Sequence, residues 1–446
     1  MSKLFHFAVL AVFAALFVSC DSNAKLVYPP ENIVNRVTDF YIFDDGKTFL
    51  YLNSNMNRRY DFGEIVLMEI DDEGDFVFKN SILVPSISGK MTVSSDEKEI
   101  FVTTRDKHGV IKANITGKSG SYRLQYDTGT KGDYPEILKT KKEPYALVLN
   151  EDESKLLVTH ILNGELSVID LDEWKVIKTA KLKYGVTEIL RDDVSGYFLA
   201  SHKSSGNISL IEAKQTLENF VVAVKELPVD LPTKGLDVRS LKQSGDKTMF
   251  YAAFQNTYNE DTYEYTYDED TAPQIVTFKI EDKELEIVKT LAVSGNLGEM
   301  AVLPYSSETE DETEEKSDDD AAETETRAAD NGGETEEETD EETADDTDAG
   351  KESAENQTAS RTGDLLFVSV TNEEKVLIID SARNSVRDTI SYKDDKKECK
   401  PYQLYAKSTG NTTGYLFVSC FQNDRAYLYK VDLMAEEIIK KVGVLE

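Results

Sequence analysis

An apolar segment of four residues recurs seven times along the chain, and this repetition constrains the fold more than any other feature. Each copy starts with phenylalanine or leucine and continues mostly with small or β-branched residues. The copies lie at 50–53 (LYLN), 101–104 (FVTT), 157–160 (LVTH), 198–201 (FLAS), 250–253 (FYAA), 367–370 (FVSV) and 417–420 (FVSC). Self-similarity at a spacing of roughly forty to sixty residues is typical of repeat proteins, in which one supersecondary unit is copied.

The clearest repeat runs from residue 144 to residue 182 and divides into four apolar segments rich in β-branched residues. Turn-forming residues such as Asn163 and Gly164 separate these segments. Four short antiparallel strands form one blade of a β-propeller. We therefore predict an all-β chain in which residues 37–446 form a single seven-bladed β-propeller of four-stranded antiparallel blades. Each tetrad is predicted to be the second strand of its blade and to form the inner edge of the sheet.

One oversized gap between repeats contains an acidic segment. Residues 308–355 hold 24 Asp or Glu against three basic residues, which accounts for most of the formal net charge of −34. The segment has no aromatic residue, so it cannot bury enough apolar surface to offset the entropy of ordering. We predict a disordered acidic insertion at 306–362 within the sixth blade. It is a solvated spacer, a weak Ca²⁺ site or a contact for a basic partner, and its charge argues against nucleic acid as a partner.

Antiparallel blade strands divide the connections of a propeller between two faces. Those after the second and fourth strands share one face, and those after the first and third strands share the other. We call these the first face and the second face. The acidic insertion follows a predicted first strand at 300–304 and therefore belongs to the second face.

The first twenty residues have the layout of a secretory signal, with Lys3 near the start, an apolar run at 8–18 and small residues before Cys20. The stretch 17–20 (FVSC) resembles the lipobox of bacterial lipoproteins, although Phe17 stands where leucine is usual. This resemblance implies a signal peptide at 1–19, lipidation at Cys20 and a lipid-anchored segment at 20–36. The protein would then be held on a membrane in the bacterial cell envelope, in the periplasm or at the cell surface. The alternative is an ordinary signal peptide with a chance cysteine.

Two repeats carry a likeness to a known family. They are 155–179 (KLLVTHILNGELSVIDLDEWKVIKT) and 365–390 (LLFVSVTNEEKVLIIDSARNSVRDTI). In both, a strand like Tyr-Val-Thr-Asn leads into a strand like Val-Ile-Asp. The pattern resembles the YVTN β-propeller repeats of bacterial extracytoplasmic proteins, a WD40-like architecture. Only the first copy keeps asparagine at the fourth position, at Asn53, and a propeller of another family would satisfy the same periodicity.

A loop at 254–273 on the first face alternates tyrosine with acidic residues. Rigid aromatic side chains beside charges are typical of contacts with proteins and sugars. The candidate contact residues are Tyr258, Tyr263, Tyr265 and Tyr267. The alternative is an extended hairpin whose tyrosines pack on a neighbouring blade.

Histidine and cysteine residues form two further candidate sites on the first face. His108, His160 and His202 follow the second strands of consecutive blades, where neutral imidazoles are candidate ligands for zinc or copper; the alternative is exposed turn histidines. Cys399 and Cys420 fall at the same rim of the seventh blade. In an oxidising compartment they either form a disulfide or remain two free thiols.

These features favour a binding or scaffolding module for a protein or glycan partner over an enzyme. The sequence contains neither a Cys-x-x-Cys-His haem motif nor a Gly-x-Ser-x-Gly nucleophile elbow, and we predict no cofactor. The alternative is an extracytoplasmic propeller enzyme, similar to lactonases or hydrolases, with a site in the axial channel. A structural envelope protein without a dedicated ligand is a third interpretation.

Overall fold

The computed structural model describes most of the predicted propeller. The described residues are 26–30, 33–71, 73–126, 136–203, 206–216, 219–229, 237–255, 273–306, 362–393, 399–420, 422–435 and 437–445, together with the backbone of 258–259 and 264–265. The predicted signal peptide and the lipidation site at Cys20 lie outside these residues.

The described strands form seven large antiparallel sheets, which we name blades A to G in chain order, and one two-stranded sheet. Blade A contains β1 (Val37–Ile42), β2 (Thr48–Asn53), β3 (Phe62–Ile70) and β4 (Phe76–Pro85). Blade B contains β5 (Ser88–Val93), β6 (Glu99–Thr104), β7 (Gly109–Thr116), β8 (Arg123–Gln125) and the short β9 (Leu138–Lys139). Blade C contains β10 (Pro144–Leu149), β11 (Lys155–His160), β12 (Glu165–Asp170) and β13 (Lys175–Lys181). Blade D contains β14 (Val186–Arg191), β15 (Phe198–His202), β16 (Asn207–Gln215) and β17 (Phe220–Pro228).

The remaining three blades follow the same plan. Blade E contains β18 (Asp237–Gln243), β19 (Phe250–Gln255), β22 (Gln274–Glu281) and β23 (Glu284–Ala292), with a small hairpin of β20 (Tyr258–Asn259) and β21 (Glu264–Tyr265) between its second and third strands. Blade F contains β24 (Leu297–Ser306), β25 (Thr362–Val370), β26 (Lys375–Asp380) and β27 (Ser385–Ser391). Blade G contains β28 (Pro401–Ser408), β29 (Thr413–Cys420), β30 (Arg425–Asp432) and β31 (Ile439–Leu445). The prediction of a seven-bladed β-propeller with four-stranded antiparallel blades is confirmed.

Burial falls from the second strand of each blade towards the outer strand. Every residue of β2 and β19 is buried, whereas β13 and β27 are mostly exposed. The second strand is covered on both sides by neighbouring blades, so its residues can all be apolar or small. This explains why the tetrads were visible in the sequence.

The tetrads are second strands, as predicted, but they are not the inner edges of the sheets. First strands of neighbouring blades contact one another around the whole ring, from β1 through β5, β10, β14, β18, β24 and β28 back to β1. First strands therefore line the axis, and each tetrad lies one strand further out. The tetrads dominate the sequence pattern because they are the most buried strands.

The ring closes by packing between blade A and blade G, each of which consists of consecutive strands. Phe417 of β29 stacks on Phe40 of β1, with 5.1 Å between the centres of their aromatic rings. The aromatic ring of Phe49 in β2 lies 4.8 Å from that of Phe417. All three side chains are buried. Aromatic pairs of this kind stabilise a contact by about 0.5–1.5 kcal/mol beyond the burial of their area.

The predicted acidic insertion falls between the first and second strands of blade F. β24 ends at Ser306 and β25 begins at Thr362, and these two residues pair with each other. Both belong to the sheet, so the predicted range 306–362 is one residue too long at each end. Residues 307–361 lie outside the described residues. Within the described part of the chain, no helix has the length and apolar character needed to cross a bilayer.

Candidate functional site

A β-bulge interrupts the first strand of every blade at the same place. The register with the second strand shifts immediately after the first buried pair, for example between Val37 and Asp39 in β1 and between Val186 and Glu188 in β14. A bulge disrupts the ladder locally and re-aims side chains, often beside functional sites. The first residue after that pair therefore holds an equivalent position in each blade, and we call these residues the mouth ring. Its members are Thr38, Gly89, Tyr145, Thr187, Arg239, Gly298 and Tyr402.

Five members of the mouth ring line a cavity of about 370 Å³ that opens on the first face. Lys203 and Lys400 reach the same cavity from first-face connections. Gly298 has no room for a side chain, because a Cβ atom there would lie 2.5 Å from Ser369 Oγ. The cavity is therefore lined by large polar side chains on some blades and by bare backbone on another.

Two of the residues that line this cavity each have a buried polar atom without a hydrogen-bond partner in the protein. The Arg239 guanidinium donates from Nη2 to Asp237 Oδ2 at 2.9 Å, but its buried Nε has no acceptor. The buried Thr187 Oγ1 is also without a partner. Leaving a buried polar group unsatisfied costs about 1–3 kcal/mol, and native proteins retain few such groups. The occurrence of two such residues in one cavity makes it the candidate site for a polar ligand.

The cavity is electrostatically suited to an anion. The pKa of Lys203 is lowered, because its ammonium loses hydration there and lies near the cations of Arg239 and Arg105. Arg105 pairs with Glu143 at 2.9 Å and lies over the Tyr145 ring at 5.4 Å from its centre. Lys203, Arg239 and Lys400 line the cavity with one carboxylate, Glu299, so its cationic side chains outnumber its acidic ones and are available to an acidic ligand.

Two tyrosines add aromatic surface to the cavity. Tyr145 and Tyr402 come from the first strands of blades C and G and hydrogen-bond to each other through their side chains. The Tyr402 hydroxyl, burial and the Glu299 carboxylate together raise the pKa of Tyr145 well above its ordinary value. Tyr145 therefore stays protonated and offers both a ring face and a hydroxyl, a combination that suits a sugar carrying carboxylate groups.

The residue that follows each member of the mouth ring lies deeper in the channel, and we call this second set the inner ring. It consists of Asp39, Lys90, Ala146, Glu188, Ser240, Glu299 and Gln403. Lys90 extends across the axis, with its Nζ 3.2 Å from Glu299 Oε1 and 2.8 Å from Gln403 Oε1. Ser240 donates to Glu188 Oε2 at 3.1 Å and accepts from the backbone of Met300 at 3.2 Å.

The inner ring carries opposite charges in a buried setting. Burial disfavours the Lys90 ammonium, but the carboxylates of Glu299 and Asp39 outweigh this effect and raise the pKa of Lys90. Burial raises the pKa of Asp39, although Lys90 and the Met91 backbone act in the opposite direction. Beyond these residues a second cavity of about 500 Å³ opens on the second face. The inner ring thus lies between two separate cavities of the channel.

The three predicted metal-ligating histidines are not brought together. His160 and His202 are completely buried, each within its own blade, and their Nε2 atoms bond to Ser167 Oγ at 2.9 Å and Ser209 Oγ at 2.6 Å. Burial lowers the pKa of His160 to about 4 and also lowers that of His202. His108 sits in a turn, where its Nδ1 accepts from the Glu143 backbone at 3.4 Å. Among the described residues, no group of three or more His, Cys, Asp or Glu is placed to hold a metal ion.

The structure joins Cys399 and Cys420 in a disulfide, with 5.1 Å between their Cα atoms. The bond lies at the first-face rim of blade G, since Cys420 ends β29 and Cys399 precedes β28. In the tyrosine-rich loop, the backbone of Tyr258 pairs with that of Tyr265 in the small hairpin of blade E. Tyr263 and Tyr267 lie outside the described residues, as does Cys20.

Sequence reasoning missed the mouth ring and the inner ring entirely. The only signal was positional, since each ring takes one residue per blade from the start of the first strand. The mouth ring mixes four residue types and the inner ring six, so neither ring leaves a repeated motif in the sequence. The register shift that aligns them becomes visible only when first and second strands are paired.

Comparison with known proteins identifies the architecture. Neither a protein-family model nor a curated protein matches this sequence. Among solved structures, Kuenenia stuttgartiensis hydrazine synthase aligns with a TM-score of 0.53 at 10% identity, covering 91% of this chain and 98% of that one. A functionally unknown protein from Desulfotomaculum acetoxidans aligns with a TM-score of 0.50 at 10% identity, covering 91% and 94%. Virginiamycin B lyase from Staphylococcus aureus reaches 0.45 at 11% identity, covering 90% and 95%.

These likenesses show the fold alone. As many as 1119 chains of solved structures match this chain, so the fold does not select one function. A propeller is consistent with a binding or scaffolding module, because it presents a rigid channel and two loop faces. The choice of ligand depends on the side chains of the mouth.

Proposed function

We propose that this protein is an exported, lipid-anchored binding module of the bacterial cell envelope that holds an acidic glycan in the first-face mouth of its channel. The observation that carries the proposal is that two residues lining one cavity each have an unpartnered buried donor, Arg239 Nε and Thr187 Oγ1. Hydrogen bonds from charged donors to a carboxylate are about twice as strong as neutral ones. A carboxylate is therefore the group that best satisfies both atoms.

A glycan is favoured over a simple anion by the aromatic lining. Tyr145 and Tyr402 provide ring faces beside the cations of Arg239, Lys203 and Lys400. The cavity of about 370 Å³ falls within the range of small-molecule sites, so it accommodates one or two sugar units rather than a folded partner. Envelope localisation and the lipid anchor rest on the lipobox-like stretch ending at Cys20.

The proposal is tested by probing the purified full chain in mild detergent with an array of uronic-acid oligosaccharides, their carboxyl-reduced counterparts and acidic peptides. We expect retention on the uronic acids and loss of signal on the reduced sugars. Arg239→Gln should abolish this retention. Arg383→Gln is the matched control, because Arg383 is an exposed arginine on the second face, 3.7 Å from Asp380.

Three outcomes would overturn the proposal. Equal retention on acidic and reduced sugars would remove the role of the carboxylate. Retention of acidic peptides alone would make the partner a protein. Shortening of the oligosaccharide during incubation would favour the enzymatic alternative, with the inner-ring carboxylates as its groups.

A further inference from the structure

The N-terminal segment of the described chain is fixed to the first face of blade A. The Val27 backbone donates to Asp61 Oδ2 at 2.6 Å and accepts from the Asp61 backbone at 2.9 Å. Tyr28 stacks on Phe62 with 5.3 Å between ring centres. Asp61 belongs to the connection between β2 and β3, which is a first-face connection. The chain therefore leaves the propeller on the first face.

Little chain separates this point from the proposed anchor. Five residues separate Cys20 from Leu26, which makes six steps from one Cα atom to the next. An extended chain spans at most about 3.3–3.6 Å per residue, so the two Cα atoms are no more than roughly 22 Å apart. A lipid on Cys20 would thus hold the first face next to the membrane and turn the second face away from it.

The first face carries exposed apolar side chains where blades C and D meet. Leu162 and Tyr184 are 51% and 56% exposed. Their two connections are joined by a hydrogen bond from the Gly185 backbone to the Ile161 carbonyl at 3.1 Å. The buried His202 contacts the Tyr184 carbonyl through its Nδ1 at 3.3 Å, which helps to fix the connection. Leucine and tyrosine exposed on one rigid surface are suited to the interfacial region of a bilayer.

Exposed lysines lie in the first-face connections that enter and leave blade C. Lys141 and Lys142 precede β10, and Lys183 precedes Tyr184. The described first-face connections of blades A to D hold nine basic and four acidic residues. The described second-face connections of the whole ring hold six basic and 17 acidic residues. Among the described connections, basic residues are therefore concentrated in this sector of the first face, from which the N-terminal chain leaves. The acidic loop at 254–273 belongs to blade E, outside this sector.

We infer that Leu162, Tyr184, Lys141, Lys142 and Lys183, which we call the docking patch, contact an anionic lipid surface. The orientation rests on the proposed anchor at Cys20, whereas the patch itself is formed by described residues alone. Lysines close to an anionic leaflet attract it electrostatically, and the leucine and tyrosine insert at headgroup depth. The acid-binding mouth then faces the bilayer, so its ligand is a glycan held close to the membrane.

Vesicle sedimentation tests the docking patch without the acyl chains. The protein is produced from Asp21 onwards, which retains all seven blades and the segment packed on blade A. We expect it to pellet with phosphatidylcholine vesicles that contain phosphatidylglycerol and not with phosphatidylcholine alone. Each lysine near an anionic surface contributes about a fivefold change in partitioning, so Lys141→Gln, Lys142→Gln and Lys183→Gln combined should reduce it by about 100-fold.

The apolar contribution has its own variant and a matched control. Leu162→Ser with Tyr184→Ser should reduce partitioning on the same vesicles. Val194→Ser with Met434→Ser should not, because these residues are 73% and 75% exposed on the second face. The inference would be overturned if the wild-type protein sedimented equally with the two vesicle types. It would also be overturned if the docking-patch variants sedimented like the wild type.

The result separates this inference from the proposed function. Arg239→Gln should lose glycan retention and keep vesicle binding. Loss of vesicle binding in that variant would place a lipid headgroup in the mouth and overturn the docking patch. The mass of the N-terminal peptide shows separately whether Cys20 is lipidated. A missing acyl group would remove the argument for a first face turned towards the membrane, but the vesicle experiment would still test the docking patch.

Discussion

The Thr187 hydroxyl provides a test in which stability and binding change in opposite directions. Thr187 Oγ1 is buried without a partner, and such a hydroxyl costs about 1–3 kcal/mol of folding free energy. Valine removes the hydroxyl, keeps the β-branched shape and suits a strand. We therefore expect Thr187→Val to raise the free energy of unfolding of the ligand-free protein by about 1 kcal/mol while it weakens glycan binding.

Thr159 offers the matched control in the neighbouring blade. Its buried hydroxyl accepts from the Ala146 backbone N–H at 3.2 Å and lies 3.3 Å from the Ala146 carbonyl oxygen, to which it donates. Thr159→Val therefore removes satisfied hydrogen bonds and should lower the free energy of unfolding by about 1–3 kcal/mol. The same chemical change thus has opposite signs at the two sites.

Urea unfolding of the ligand-free variants measures both values. The fluorescence of Trp174, the one tryptophan of the chain, reports unfolding of blade C. A Thr187→Val protein as destabilised as Thr159→Val would show that the Thr187 hydroxyl is already satisfied. The mouth would then have one residue with an unpartnered donor instead of two.

Three further results are expected. Lys90→Met leaves Glu299 and Asp39 buried without their cation and should lower the free energy of unfolding in urea by about 3–5 kcal/mol. Adding Glu299→Gln should recover part of this loss. An unchanged urea midpoint for Lys90→Met would show that the inner ring is well hydrated. His160 has its pKa lowered from 6.5 to about 4, so the unfolded chain takes up the proton first and stability should fall by up to about 3 kcal/mol as pH drops from 6.5 to 4. His160→Gln should flatten that part of the profile, and an unaltered slope would assign it to other groups. Replacing Cys399 and Cys420 by alanine opens a loop of 21 residues and should cost about 3 kcal/mol, measurable as a lower melting temperature than that of the oxidised protein.

The fold could be predicted because its most buried strands repeat. Strands β2, β6, β11, β15, β19, β25 and β29 meet the same environment in seven blades, so selection for burial leaves the same pattern seven times. The acidic insertion was visible for the converse reason, since 24 acidic residues cannot be buried. The assignment of the tetrads to the inner edge was wrong, because the axis is polar enough to take Lys90 and Glu299.

The candidate site could not be predicted, because it depends on register. Tyr145, Thr187 and Arg239 share a position only after the bulge in each first strand is known. The histidines show a signal that was present but not used. His160 and His202 each stand seven residues before the serine that they contact, which indicates an intrablade role rather than a shared ligand set.

A crystal structure of the protein with a uronic-acid oligosaccharide is the sharpest test of the acid-binding mouth. We expect one carboxylate within hydrogen-bond distance of both Arg239 Nε and Thr187 Oγ1, with a sugar ring against Tyr145 or Tyr402. A carboxylate bound instead in the cavity on the second face, or a mouth in which ordered water alone satisfies the two donors, would contradict the assignment.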